Sequence, residues 1–487
     1  MNMNNSNNGR VAYSTFVLIV LASIAIMAMY VEAMAFPSLP KIMASFGLGP
    51  QDYALGSWII TIYMITGAIS ITIFGKLGDI YGKKKMLLIA MSIYTVGVTL
   101  TGFSPQLSDS IYLMIAFRAV QGVSMSMFPL AFSLIRDEFP RDRIAIAQGV
   151  ISAMFGVGTA VGMVLGGFVT DTWGWEWTFH SVIPVSIALT LLVAWKIRES
   201  PIRMKVKVDL VGAALLGTTL FSFLVGITES KNRGWSDPLI VSLLILSAVL
   251  LASFAFWITR AKDPLIRPAL LKIRDIALTN VIAFMIGFAL FTVNQVIAAL
   301  AGFNFGLDAT SIGLLMLPTS IVILFVGPTA GFVVRKNGPK WPMVFGMTVS
   351  IIGFMLLYQW HYTELEVMVG VAVMGMGNAF TMVSSINMII ISTPIEETAV
   401  SSAINMVIRT GGGVVGPAIA AVIISQYSQE VPGLPQPIPD DIAYQIIFLM
   451  SSVMMGFGVL LSLWLSNKKA LPEARKGGVS AEGPSGA

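Results

Sequence analysis

Cysteine is absent from this chain of 487 residues, and histidine occurs only twice, at His180 and His361. The first absence excludes disulfides, thiolate metal ligands and a thiol nucleophile. The second leaves two imidazoles far apart with no acidic company at ligand spacing, a poor basis for a metal site. Charge is scarce too, at 11% of residues, where a soluble chain carries about a quarter. A globular enzyme is thereby excluded. Nucleotide-driven chemistry lacks its motif, because no Lys-Ser or Lys-Thr follows Gly411-Gly412-Gly413. What remains is apolar: 56% of residues are hydrophobic and the mean hydropathy is +0.82, so the solvent of most side chains is lipid.

A helix needs about 20 apolar residues to cross the hydrocarbon of a bilayer. Segments that meet this requirement fall at 15–38, 54–74, 86–104, 111–133, 147–169, 178–196, 208–228, 238–259, 277–300, 310–334, 341–358, 364–391, 398–424 and 442–466, which predicts fourteen spans. The opening MNMNNSNNGR leads into the first apolar stretch without a small-residue cleavage pattern, so that stretch reads as a membrane helix rather than a signal peptide. The net charge of +5 sits in short clusters between apolar runs, a pattern of membrane surfaces and not of nucleic-acid binding.

Those clusters orient the chain. With both termini cytoplasmic, 25 of the 30 Lys and Arg lie inside, only Lys41, Lys231 and Arg233 lie outside, and Arg118 and Arg409 fall within helices. The opposite orientation violates the positive-inside rule almost everywhere. The chain also repeats itself. Gly75 to Lys85 follows the second helix and Gly331 to Lys340 the tenth; each has two glycines seven residues apart and a basic cluster. Later in each half comes a small-residue helix, with Gly158, Gly162, Gly166 and Gly167 first and Gly412, Gly413, Gly416 and Pro417 second. The expected organisation is a six-helix bundle over 1–196, two inserted helices over 197–262, a second six-helix bundle over 263–466, and a disordered tail over 467–487.

These residues carry a resemblance. Gly75-Lys-Leu-Gly-Asp79-Ile-Tyr-Gly82-Lys83-Lys84 resembles the loop-2/3 signature of the major facilitator superfamily, and Arg118-Ala-Val-Gln121-Gly122 its fourth-helix signature. Gly158 through Gly167 is similar to the fifth-helix antiporter signature, and the fourteen spans with Asp209-Leu-Val-Gly212 resemble the fourteen-helix drug:proton antiporter (DHA2) branch. The chain departs from the pattern at Met163, where the antiporter signature has proline, at Glu32, one place after the usual acidic position, and at Glu176, where arginine is usual. The resemblance implies an all-α major facilitator fold, no cofactor, a multi-pass place in the cell membrane, and a monomer that exchanges protons for lipophilic or cationic small molecules.

Glu32 stands about 9 Å and Arg118 about 10 Å below the outer surface at 1.5 Å per residue. A carboxylate at that depth must be paired, wet or protonated, and one that takes up and returns a proton suits coupling; a pore-rim position beside Pro37 is the plainer reading. Arg118 cannot deprotonate and needs acceptors, either a switching carboxylate or a fixed helix clamp. The resemblance implies proton coupling for Arg118 also. Gly75, Asp79, Gly82, Lys83 and Lys84 read as a cytoplasmic latch, with Asp79 accepting from a helix terminus or an arginine, although the lysines alone are an ordinary inside loop. The glycine ladder Gly158, Gly162 and Gly166, with Gly167, is expected to seal the pathway against the second-half counterpart of its helix. Trp58, Tyr63, Gln121, Met125, Asn294, Gln295, Asn378 and Arg409 are the candidate cargo contacts, each readable as packing or as an interhelical bond. A proton-driven exporter is the leading expectation, with a metabolite facilitator or symporter, or a non-transporting membrane receptor, as its rivals.

Overall fold

The computed structural model describes residues 2–139, 141–201, 203, 207–394, 397–430 and 437–467. Of the expected tail 467–487, all but Asn467 lies outside the described residues. Among them, fourteen helices are long and apolar enough to cross a bilayer: α1 Tyr13–Ser45, α2 Pro50–Tyr81, α3 Lys83–Gly102, α4 Ile111–Glu138, α5 Ala147–Trp173, α6 Glu176–Lys196, α7 Leu210–Arg233, α8 Pro238–Arg260, α9 Arg274–Asn304, α10 Ala309–Asn337, α11 Lys340–Gln359, α12 Glu364–Ser392, α13 Val400–Gln426 and α14 Asp441–Leu463. Most run past the apolar stretches read from sequence, because their ends are closed by polar caps. Asp209, Asp308 and Asp440 accept from backbone N–H groups of Gly212, Ser311 and Ile442, and Thr363 with Glu366 forms a capping box at the start of α12.

The helices form two six-helix bundles, α1–α6 and α9–α14, with α7 and α8 inserted between them. The sequence repeat has a structural counterpart. In the first bundle α5 packs along α1, in the second α13 packs along α9, and across the seam α5 meets α10 while α2 meets α13. Small residues set these approaches. A side chain at Gly162 would come within 2.5 Å of the Tyr30 carbonyl oxygen, and one at Gly412 within 2.0 Å of the Phe284 carbonyl oxygen, so both crossings need glycine for backbone-to-backbone packing. Of the inserted pair, α7 covers the α2/α13 seam: Trp58 Nε1 donates to Thr228 Oγ1 of α7 at 3.0 Å, and Ala54, Ile227 and Val422 share one apolar cluster.

The two bundles meet at the end opposite the basic loops. There Tyr53 Oη donates to the Gln295 carbonyl at 2.7 Å, Ala54 N donates to Ser425 Oγ at 2.8 Å, and Asp171 of α5 accepts from the N-terminus of α10. Midway along the bundles Ser320 Oγ approaches Met163 Sδ at 4.0 Å, and at the basic end Lys76 Nζ of α2 donates to the Asp263 and Pro264 carbonyls ahead of α9 at 2.7 and 3.1 Å. Toward the basic end, nothing stands within 4 Å of the position a Cβ would take at Gly75, Gly149, Gly156, Gly327, Gly331 or Gly411. Among the described residues, the hydrogen bonds that run from α1–α6 to α9–α14 thus lie at the outer end and mid-bundle.

Candidate functional site

Glu32 sits in the middle of α1, 4% exposed, and its Oε2 has no hydrogen-bond partner. The Gly158, Gly162 and Gly166 ladder packs on α1 at Ile26 to Met34, the stretch that carries this carboxylate. That placement differs from the expectation that the ladder meets the second bundle. Only Gly167 crosses the seam, with its Cβ position 2.2 Å from the Ala309 carbonyl oxygen of α10. A straight helix turns residues four apart to one face, so a ladder committed to α1 cannot also face α10.

Arg118 is fully buried, with two acceptors and a third nitrogen, Nη2, unpartnered. Nε donates to the Ile59 carbonyl and Nη1 to Gln121 Oε1, both at 2.8 Å, while the guanidinium lies over the Tyr63 ring at 4.6 Å. Among the described residues Glu32 forms no ion pair with Arg118, yet it is within electrostatic reach of Arg118 and of Arg409 on α13. One carboxylate with a free oxygen therefore stands between two arginines, one from each bundle.

The aromatic residues expected to line a cargo wall are used elsewhere. Trp58 turns to α7, packing edge-to-face on Phe221 at 5.5 Å besides its bond to Thr228. Tyr63 supports Arg118 and pairs its hydroxyl with Ser124 at 2.8 Å; Met125 fills the space over Gly67. A ring with a polar tip buries where that tip finds a partner, which periodicity does not reveal. Among the apolar contacts between the bundles, Met64 and Phe291 meet at Gly413. Gln295 and Asn378 are buried with both amide atoms unpartnered, Gln121 keeps an unpartnered Nε2, and Asn294 is half-buried.

At the basic end the expected latch is rearranged. Gly82, at φ 120°, makes the turn into α3, a conformation that side chains with a Cβ rarely take. The α3 N-terminus is capped not by Asp79 but by Glu199, which accepts from Lys84 N and Lys85 N at 3.0 Å each. Lys83 is buried and pairs with Asp137, whose Oδ2 also accepts from Ser200 Oγ at 2.5 Å, leaving Asp79 a looser contact with Lys83 at 3.7 Å. Lys84 Nζ donates to the Ala194 carbonyl, and Gly75 faces open space. Asp137 and Glu199 escaped the sequence reading because each lies inside a cluster counted for its positive charge. Removing one member of a buried pair strands the other. We therefore expect Asp137→Ala to lower unfolding stability by about 3–5 kcal/mol, with a second change, Lys83→Met, restoring much of it; thermal unfolding in detergent reads both.

Comparisons with known proteins agree with this architecture. Residues 21–269 and 279–484 match the family profile described as Major Facilitator Superfamily. An uncharacterized MFS-type transporter of Mycobacterium tuberculosis is 31% identical over 332 residues, covering 67% of this chain and 47% of that relative; the match thus spans about half the relative's length. The multidrug resistance protein Stp of the same species is 25% identical over 415 residues, covering 84% of this chain and 76% of Stp. Among solved structures, a D-xylose-proton symporter superposes with a TM-score of 0.67 at 13% identity, covering 94% of this chain and all of that one.

Proposed function

This chain belongs to the Major Facilitator Superfamily, and from that premise we propose that it is a secondary transporter of the fourteen-helix drug:proton antiporter branch, exporting hydrophobic or cationic compounds. The carrying observation is the Glu32 carboxylate, buried with one oxygen unpartnered in a molecule whose two bundles are tied together by hydrogen bonds at the outer end. Such a group can hold a proton or a cationic cargo, but not both. In the proposed cycle cargo enters from the basic end, the bundles rock, and protonation of Glu32 from outside expels it. Proton release inside resets the carrier. The name of the relative Stp supports the substrate class; a symporter of a small polar metabolite would call for more ionisable groups facing the cavity.

The division at 196/197 and 262/263 belongs to the same proposal: the first bundle carries Glu32 and Arg118, the second Arg409, and rocking changes the distance between them. The test is reconstitution into liposomes with an imposed proton gradient and ethidium as cargo. Ethidium accumulation that collapses with a protonophore supports the reading; gradient-independent equilibration refutes proton drive.

A further inference from the structure

Arg409 differs from Arg118 in a way that bears on what the cargo must carry. Arg118 is sealed at 0% exposure and bonded twice. Arg409 is partly exposed, and Glu32, on the other bundle, is its one source of electrostatic attraction. No hydrogen bond or ion pair engages its guanidinium among the described residues. Its backbone carbonyl packs on Gly287 of α9, 1.8 Å from where a Cβ would stand, with the first part of its stem beside it at 3.1 Å. One turn earlier on α13, Asn405 Nδ2 donates to Asn280 Oδ1 of α9 at 3.0 Å. That bond leaves Asn280 Nδ2 buried without an acceptor. Residues 405 and 409 share a face of α13, and residues 280 and 287 share a face of α9. A free fork of N–H donors thus stands one turn beyond the Asn405–Asn280 bond on the same face of α13.

Charge balance gives this seam a purpose. Glu32 offers one negative charge to two guanidinium groups. A cargo bearing only a cation would occupy Glu32 and leave Arg409 without a counter-charge inside the membrane span, which is costly. A cargo that also carries an acid group removes that cost, because a carboxylate matches the planar guanidinium fork. We infer that Arg409 forms the anion-recognising half of the cargo site, and that the preferred cargo is amphoteric: a lipophilic body with a basic nitrogen for Glu32 and a carboxylate for Arg409. This rests on the exporter reading and narrows its substrate class.

The test uses the purified full-length protein and two dyes with one body: rhodamine B, which has a cationic ring system and a free carboxylate, and its ethyl ester, which keeps the cation and loses the acid. Binding is read by fluorescence anisotropy. The wild-type protein is expected to bind the acid about tenfold more tightly than the ester, the scale of one charge-assisted hydrogen-bonded contact. Arg409→Gln should erase that preference by weakening the acid alone, and Arg409→Lys should keep part of it. Equal wild-type affinity for the two dyes overturns the inference, as does equal weakening of both dyes by both Arg409 variants, which marks a structural role. If the ester binds in a Glu32-dependent way and the acid gains nothing, the exporter reading stands and this inference alone falls. If neither dye binds, both fall.

Discussion

Glu32→Gln is expected to abolish proton-driven accumulation of cargo in proteoliposomes while leaving a folded protein. The substitution is nearly isosteric, so the packing of α1 against the Gly158, Gly162 and Gly166 ladder is kept. What it removes is the group that can exchange a proton and the single negative charge facing Arg118 and Arg409. Loss of a proton-transfer group lowers rates by about 100-fold or more, and energised ethidium flux should fall on that scale. Arg118 keeps its bonds to Ile59 and Gln121 in the variant, so thermal unfolding should move little. Retention of full gradient-driven flux would assign coupling to another residue.

The second large effect is expected at the outer closure. Asp171 accepts from Lys41 Nζ at 2.6 Å, from Ala309 N at 3.1 Å, and from Thr310 N and Oγ1 at 2.7 and 2.5 Å. It therefore ties α5 to the N-terminus of α10, where backbone N–H groups and the helix dipole favour an anion. Separating the outer ends of α5 and α10 would require breaking the contacts to Ala309 and Thr310. Charge-assisted hydrogen bonds contribute about 1.5–3 kcal/mol each, and the half-exposed Lys41 partner adds less. Asp171→Asn keeps the shape and loses the charge, so the outward-open population should rise by about tenfold, taking 1.4 kcal/mol per factor of ten. The natural absence of cysteine makes the measurement clean. Spin labels on Gln106→Cys and Glu364→Cys, exposed at the outer ends of the two bundles, should report a longer distance fraction in the variant. An unchanged distribution would remove Asp171 from the closure.

How far the sequence revealed all this follows from the kind of signal each residue leaves. The fourteen spans and their order were legible because apolar runs of membrane length have few other readings. Glu32, Arg118 and Arg409 were conspicuous because a charge inside such a run is rare. The partners of Trp58, Tyr63 and Met125 were not legible for the opposite reason: in a helix apolar on every side, no pattern distinguishes the face toward a neighbour from the face toward a cavity. Asp171 and Asp137 passed unnoticed because acidic residues at helix ends look like ordinary boundaries. Their roles depend on which other helix terminus or buried lysine the fold brings up, and that is a tertiary fact. The glycine ladder was found by its spacing, but its partner was not, since spacing fixes a face and not what lies across it.

The central claim is that a proton and the cargo compete for Glu32. The most direct measurement is calorimetric titration of the purified protein with ethidium in buffers of different ionisation enthalpy, which counts protons released on binding. Mutual exclusion at one carboxylate requires release of up to about one proton per cargo in mildly acidic buffer, falling toward zero as pH rises, and none at any pH in Glu32→Gln. Binding without proton release in the wild-type protein, or equal release in the variant, would contradict it.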